Sequence, residues 1–217
     1  MIDFAAAREA MVDSQVRPSD VTAYPIIEAM LDVPREDYVP ENFRSVAYLG
    51  DHIPLAPGRV LLDPRVFAKL LDALDVTRTD LVLDVGCGLG YSSAVIARIA
   101  QAVIALEEDE GFAAEAEARI AAHSVDNTMV QTGPLTDGVA RHGPYDGILI
   151  EGGVQTVPEG LTAQLKEGGR IVAIFGDAHK GQARIGLKSS TGVVWRRAFD
   201  ATAPVLPGFR MSKEFEF

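Results

Sequence analysis

The stretch that most constrains this chain is Leu81-Val82-Leu83-Asp84-Val85-Gly86-Cys87-Gly88-Leu89-Gly90-Tyr91. An apolar run rich in Val and Leu stops at three glycines in alternate positions, and a helix-like segment follows from Ser92. A buried strand that breaks into a glycine turn and then a helix brings backbone N–H groups to a nucleotide-like ligand. Glycine suits such a turn because a Cβ would block the approach and because the turn visits φ > 0. The spacing here is G-x-G-x-G, with Tyr at position 91. The dinucleotide fingerprint is G-x-G-x-x-G. The difference points away from a nicotinamide dinucleotide and toward S-adenosylmethionine.

The rest of the composition narrows the setting. A chain of 217 residues, 47% hydrophobic and 24% charged, is expected to form one compact unit with a small appendage. Its formal charge of -11 argues against non-specific nucleic acid binding, which depends on Lys and Arg neutralising phosphates. A cationic ligand such as a sulfonium remains compatible with it. The single cysteine, Cys87, forbids an intrachain disulfide and suits a reducing cytoplasm. The first residues lack a basic stretch followed by a long apolar run, so no signal peptide is expected. No stretch reaches the ~20 apolar residues of a membrane span. His52, His123, His142 and His179 show no metal-ligand spacing, and no metal is expected.

Two units are read along the chain. Residues 1–63 form an N-terminal helical and loop extension, and residues 64–217 form the ligand-binding domain. A helix is expected over 4–16. Asp20 or Thr22 is placed to cap a second helix over 23–31, with Pro25 tolerated in its first turn. Residues 47–62, with Pro54, Pro57 and Gly58 among apolar residues, read as an ordered loop that walls a site. From Pro64 the alternation is regular. Helices are expected over 65–74, 92–100, 112–122 and 158–165, the last ended by Gly168-Gly169. Strands are expected over 81–85, 102–106, 128–131, 145–150 and 170–175, with a hairpin over 186–199. Such alternation predicts a mostly parallel Rossmann-like α/β sheet with helices on both faces, made mixed by the terminal hairpin.

Glu107 is the second anchor. It ends the apolar run Val103-Ile104-Ala105-Leu106, where nucleotide-binding folds place an acid that holds ribose hydroxyls. Its two acceptor oxygens suit a vicinal diol. Asp84 either bonds turn amides or faces the amino group of a ligand.

These residues resemble a known family. Asp84-x-Gly86-x-Gly88-x-Gly90, Glu107, Tyr145-Asp146 and Leu165-Lys166-x-Gly168-Gly169-Arg170 look like class I S-adenosylmethionine-dependent methyltransferases. Met11-Val12-x-x-Gln15, Glu28-Ala29-Met30, Val33-Pro34-Arg35-x-x-Tyr38-Val39-Pro40, Ala47-Tyr48 and Asp51-x-x-Pro54-Leu55 narrow the resemblance to protein-L-isoaspartate O-methyltransferases. It implies S-adenosylmethionine held by Asp84, Gly86, Cys87, Gly88, Gly90, Glu107, Glu108 and Leu135. It implies a substrate loop at Arg59, Val60, Leu61 and Leu62. It also implies methylation of the α-carboxylate of isoaspartyl residues in damaged proteins, by in-line transfer. A protein or peptide is then the partner, and a monomer is expected.

The departures from the family concern the acceptor and, at Pro134, where the family's Asp faces the adenine, the cofactor. The family loop Gly-Gln-Thr-Ile-Ser-Gln-Pro reads Gly58-Arg59-Val60-Leu61-Leu62-Asp63-Pro64 here, so both hydroxyls are gone. Arg59 either attracts an anionic substrate or stays a solvated side chain. The family's Gly-Asp-Gly reads Gly133-Pro134-Leu135, and its Thr-Ala-Ala reads Glu151-Gly152-Gly153. Carboxylate methylation needs no general base, because the nucleophile is ionised at neutral pH. Positioning alone supplies up to ~7–11 kcal/mol, and one lost hydrogen-bond donor costs ~0.5–1.5 kcal/mol. Leu62 therefore weakens the family reaction without forbidding it. Glu151, if ionised, would repel a carboxylate. It is either a base for a different acceptor, with Asp51 or His52 as alternatives, or a carboxylate satisfied by the amides of Gly152 and Gly153. The remaining alternative is a cofactor-binding protein without turnover, which predicts a pocket closed at the methyl end.

Overall fold

The computed structural model describes residues 2–211. The outer bounds of the two expected units, residues 1 and 217, lie outside them. Asp3 caps helix α1 (Phe4–Met11) by accepting from the Ala6 N–H at 3.0 Å. The expected helix over 4–16 changes winding at Val12. Residues Val12–Val16 form a π-helical turn and Arg17–Ser19 a 3-10 turn. Helix α2 (Tyr24–Asp32) carries Pro25 in its first turn, as expected. Its cap position is Ala23, without a side-chain bond, and neither Asp20 nor Thr22 fills that role. Asp20 instead turns the chain with φ +66.

Residues 47–62 are more ordered than a loop. They contain an antiparallel hairpin of β1 (Ile53–Ala56) and β2 (Arg59–Leu61), turning at Gly58 with φ +75. Ile53 pairs with Leu61, and both are buried. Pro54 is tolerated because this sheet has only two strands and a register shift sits beside it. Helix α3 (Pro64–Leu74) then starts from Asp63, whose carboxylate accepts from the Val66 N–H at 2.9 Å.

The alternating part follows as β3 (Leu81–Val85), α4 (Tyr91–Ala97), β4 (Ala102–Glu107), α5 (Glu110–Ala122), β5 (Thr128–Thr132), β6 (Tyr145–Val154), α6 (Glu159–Thr162), β7 (Leu165–Gly176), β8 (Gly181–Ser189) and β9 (Gly192–Asp200). The helix expected over 158–165 ends at Thr162, and Gly168 and Gly169 lie inside β7 instead of ending it. Gly169 serves a close backbone crossing there, since a Cβ would lie 2.9 Å from the Asp146 carbonyl. The sheet order is β5-β4-β3-β6-β7-β8-β9, parallel through β7 and antiparallel for β8 and β9.

Both sheet faces are covered. Val82, Leu149, Val172 and Ile174 point into one core, while Leu83, Ile148, Ile150 and Ile171 point into the other. This alternation explains why the central strands read as continuous apolar runs. The first core also takes in Met11, Ile27, Tyr38 and Leu62. The N-terminal segment is thus built onto the sheet and fixes the hairpin above its C-terminal edge. Among the described residues, no helix is long and apolar enough to cross a membrane.

Candidate active site

The site forms where β3, β4 and β6 end together. Val85 pairs with Leu106 on one side and with Ile150 on the other. Gly86, Glu107 and Glu151 therefore stand at one level across the strand ends. The N–H groups of Gly86 and Cys87 both donate to the Leu106 carbonyl, at 2.8 and 3.2 Å. Gly86, Gly88 and Gly90 have φ of +81, +55 and +93, which L side chains rarely adopt. Gly90 also lets α4 pack on α5, because a Cβ there would lie 3.2 Å from Ile120 Cδ1.

Glu107 is fully buried. Arg59, on the first residue of β2, holds it with a two-pronged ion pair, Nη1 to Oε1 at 2.7 Å and Nη2 to Oε2 at 2.6 Å. The N–H groups of Gly88, Glu108 and Asp109 donate to the same carboxylate at 2.8, 2.9 and 3.1 Å. Arg59 is therefore neither solvated nor directed at a substrate, since it lies buried on the expected ribose acid. Leu55 and Leu206 complete the cover. A Cβ on Gly88 would lie 2.7 Å from Leu55 Cδ1, and one on Gly152 would lie 2.6 Å from Leu206 Cγ.

Two other carboxylates are buried beside the turn. Asp84 Oδ2 accepts from the Ser92 hydroxyl at 2.6 Å and from the Ser93 hydroxyl, while Oδ1 has no partner. Burial pushes the Asp84 carboxyl up to about 6, against the pull of those hydroxyls. Glu151 sits in the stretch of β6 where the register with β7 shifts, between Leu149 and Gly153. Such irregularities re-aim side chains near active sites. Its Oε1 has no partner, so this oxygen is not satisfied by the amides of Gly152 and Gly153. Burial, reinforced by the Asp84 charge, raises the Glu151 carboxyl well above the usual range, with Arg35 offsetting only part.

The remaining expected site residues divide by depth. Leu135 and Cys87 are buried, and burial raises the Cys87 thiol. Leu61 and Leu62 are buried and Val60 is half-buried. Glu108 is exposed, and so is Asp51. His52 accepts from the Asp63 N–H at 2.9 Å through Nδ1 and meets the Thr202 carbonyl at 2.9 Å through Nε2. It pins the base of the hairpin. Sequence reasoning missed Leu55, Leu206 and the Arg59 ion pair. The usable signal for the last was an arginine in a loop that the family resemblance lays over the site.

The fold and this constellation define an α/β methyltransferase. A family model described as Protein-L-isoaspartate(D-aspartate) O-methyltransferase (PCMT) matches residues 6–199. A protein-L-isoaspartate O-methyltransferase of Roseiflexus sp. (strain RS-1) is 38% identical over 175 residues, covering 81% of this chain and 80% of its own. One from Pelotomaculum thermopropionicum is 35% identical over 173 residues, covering 80% and 76%. Among solved structures, a protein-L-isoaspartate O-methyltransferase superposes with TM-score 0.80 at 23% identity, covering 93% of this chain and 66% of its own. A putative one from Plasmodium falciparum, in complex with S-adenosyl-L-homocysteine, gives TM-score 0.78 at 19% identity, covering 95% and 99%. The chain belongs to the protein-L-isoaspartate(D-aspartate) O-methyltransferase family, whose members use S-adenosylmethionine.

The residues present fit that cofactor chemically. Its sulfonium and ammonium are cationic, and the unpartnered Oδ1 of Asp84 is an acceptor that a donor or cation would satisfy. The glycine turn admits backbone contact, and Glu107 has the two acceptors a ribose diol takes.

Proposed function

We propose that the chain methylates the carboxylate of isoaspartyl residues in proteins or peptides, with Glu151 as the group that replaces the missing loop hydroxyls. The observation that carries this is the unpartnered Oε1 of Glu151, buried at the strand ends beside Asp84. Burial raises the Glu151 carboxyl well above its ordinary range and so favours its neutral, hydrogen-bond-donating form. It then repels no carboxylate and donates one hydrogen bond to it, as an apolar site allows a neutral acid to do. S-adenosylmethionine supplies the methyl group, near Gly86, Gly88, Gly90 and Glu107. The chain's part is to align the acceptor and exclude water. Leu206, packed over Gly152 beside Glu151, provides an apolar wall.

A cleft of about 740 Å³ runs from the base of the hairpin to the turn before β8, lined by His52, Asp63, Arg65, Phe175, His179 and Gln182. We assign the acceptor to this side and the donor to the glycine turn.

A second reading rests on the same oxygen. A Glu raised toward neutrality by burial is also tuned to act as a base on a hydroxyl or amine. The two roles have opposite pH signs. As a donor, Glu151 loses function as pH rises through its raised value. As a base, it loses function as pH falls through it. The test is S-adenosylhomocysteine release with an isoaspartyl peptide against its aspartyl control, for the wild type and Glu151→Gln. The donor role predicts isoaspartyl-dependent turnover that the amide largely keeps. Turnover on neither peptide overturns the repair reading. Turnover on a neutral acceptor that Glu151→Gln abolishes establishes the base.

A further inference from the structure

The β1–β2 hairpin lies on the cofactor's own acceptor. A carboxylate offers about four lone-pair sites, and Glu107 already accepts from two Arg59 nitrogens and three backbone N–H groups. A ribose diol needs the same two oxygens. Arg59 and the cofactor therefore exclude each other at Glu107. The geometry points to Arg59 as a built-in competitor that sets the cofactor affinity: we propose that cofactor binding and release of the hairpin tip from Glu107 are one event. This rests on the cofactor assignment above and concerns when the site accepts it.

The hairpin is built for such a motion. Its ends are tied down. His52 holds Thr202 and Asp63, and the buried Arg35 donates to the Leu62 carbonyl at 2.7 Å. Its tip is held by side chains, with Leu55 over Gly88 and Arg59 on Glu107 and, at 3.4 Å, on the Gly86 carbonyl, either side of the Gly58 turn. A receiving place adjoins it. A cavity of about 300 Å³ lies beside Arg59, lined by Ala56, Pro57, Glu108, Asp109, Phe112 and Pro207. The guanidinium carbon is already 5.8 Å from the Phe112 ring centroid. Glu108 and Asp109 offer the displaced guanidinium new carboxylates, so it exchanges one ion pair for another rather than being left buried and unpaired.

Calorimetric titration of S-adenosylhomocysteine into the full chain tests this, using the wild type, Arg59→Gln and Arg59→Lys. Gln removes the ion pair and restores the residue type of the family loop. Lys keeps the charge with a single contact. Arg59→Gln is expected to bind at least about tenfold tighter than the wild type, a difference of about 1.4 kcal/mol, with Arg59→Lys between them. Affinities equal to or weaker than the wild type in both variants overturn the competitor while leaving the cofactor assignment standing. Absence of binding in all three overturns both. If Arg59→Gln does not fold, Arg59→Lys decides in the same way.

Discussion

The glycine turn with Glu107 and the β1–β2 hairpin touch each other, yet they are held by different forces. The turn is fixed by backbone. Three residues at positive φ, and a Cβ-free approach to α5 at Gly90, leave no choice but glycine. The hairpin tip is fixed by side chains, Leu55 and Arg59, against that backbone. Side chains exchange without breaking a fold, whereas a turn at positive φ does not tolerate exchange. The glycine turn accordingly keeps the pattern of its family, and the side chains around it depart from that pattern at Arg59, Val60, Leu62, Pro134 and Glu151.

The comparison breaks most readily at Glu107. Glu107→Ala leaves the N–H groups of Gly88, Glu108 and Asp109 without their acceptor, at ~1–3 kcal/mol for each that stays buried. Thermal unfolding is expected to move down by on the order of 10 °C. A shift of a degree or less would show that the carboxylate is not a structural tie. Leu62→Ser tests the hairpin base, because Leu62 is fully buried. It is expected to cost ~2–4 kcal/mol in denaturant unfolding. Together with Val60→Thr it is expected to raise isoaspartyl turnover. Unchanged turnover would mean that the lost hydroxyls are not what limits the reaction.

Glu151→Gln sharpens the comparison through pH. Asp84 and Glu151 both titrate higher in the fold than in the unfolded chain, where such groups sit near 4. The fold therefore binds the extra protons, and stability falls as pH rises above about 4 and through the raised values. Replacing Glu151 by its neutral isostere is expected to gain roughly 1–3 kcal/mol at pH 8. The gain fades as pH approaches 5. A gain independent of pH would contradict burial of an ionisable group. The smallest effect belongs to Asp51→Ala. Asp51 is exposed, and the change is expected to stay within ~0.5 kcal/mol in stability.

The central strands were legible because each is an apolar run bounded by turn residues, and β3 begins and ends where the pattern says. Glu107 was legible from its place at a strand end. The hairpin was not, because Pro54, Pro57 and Gly58 read as breakers while the pairing of Ile53 with Leu61 is made only across space. The end of the helix at Thr162 is not legible, since a Gly-Gly pair marks a helix end and a close backbone crossing equally well. The role of Arg59 is not legible for a similar reason. Its partner lies on a different strand, and sequence distance gives no sign of a pair held by tertiary packing.

The central claim is that Arg59 and the cofactor take turns on Glu107, and a crystal structure of the chain with S-adenosylhomocysteine tests it most directly. The account predicts both ribose hydroxyls on the Glu107 carboxylate, with the Arg59 guanidinium withdrawn toward Glu108, Asp109 and Phe112. A bound nucleoside beside an intact two-pronged Arg59–Glu107 pair would contradict it.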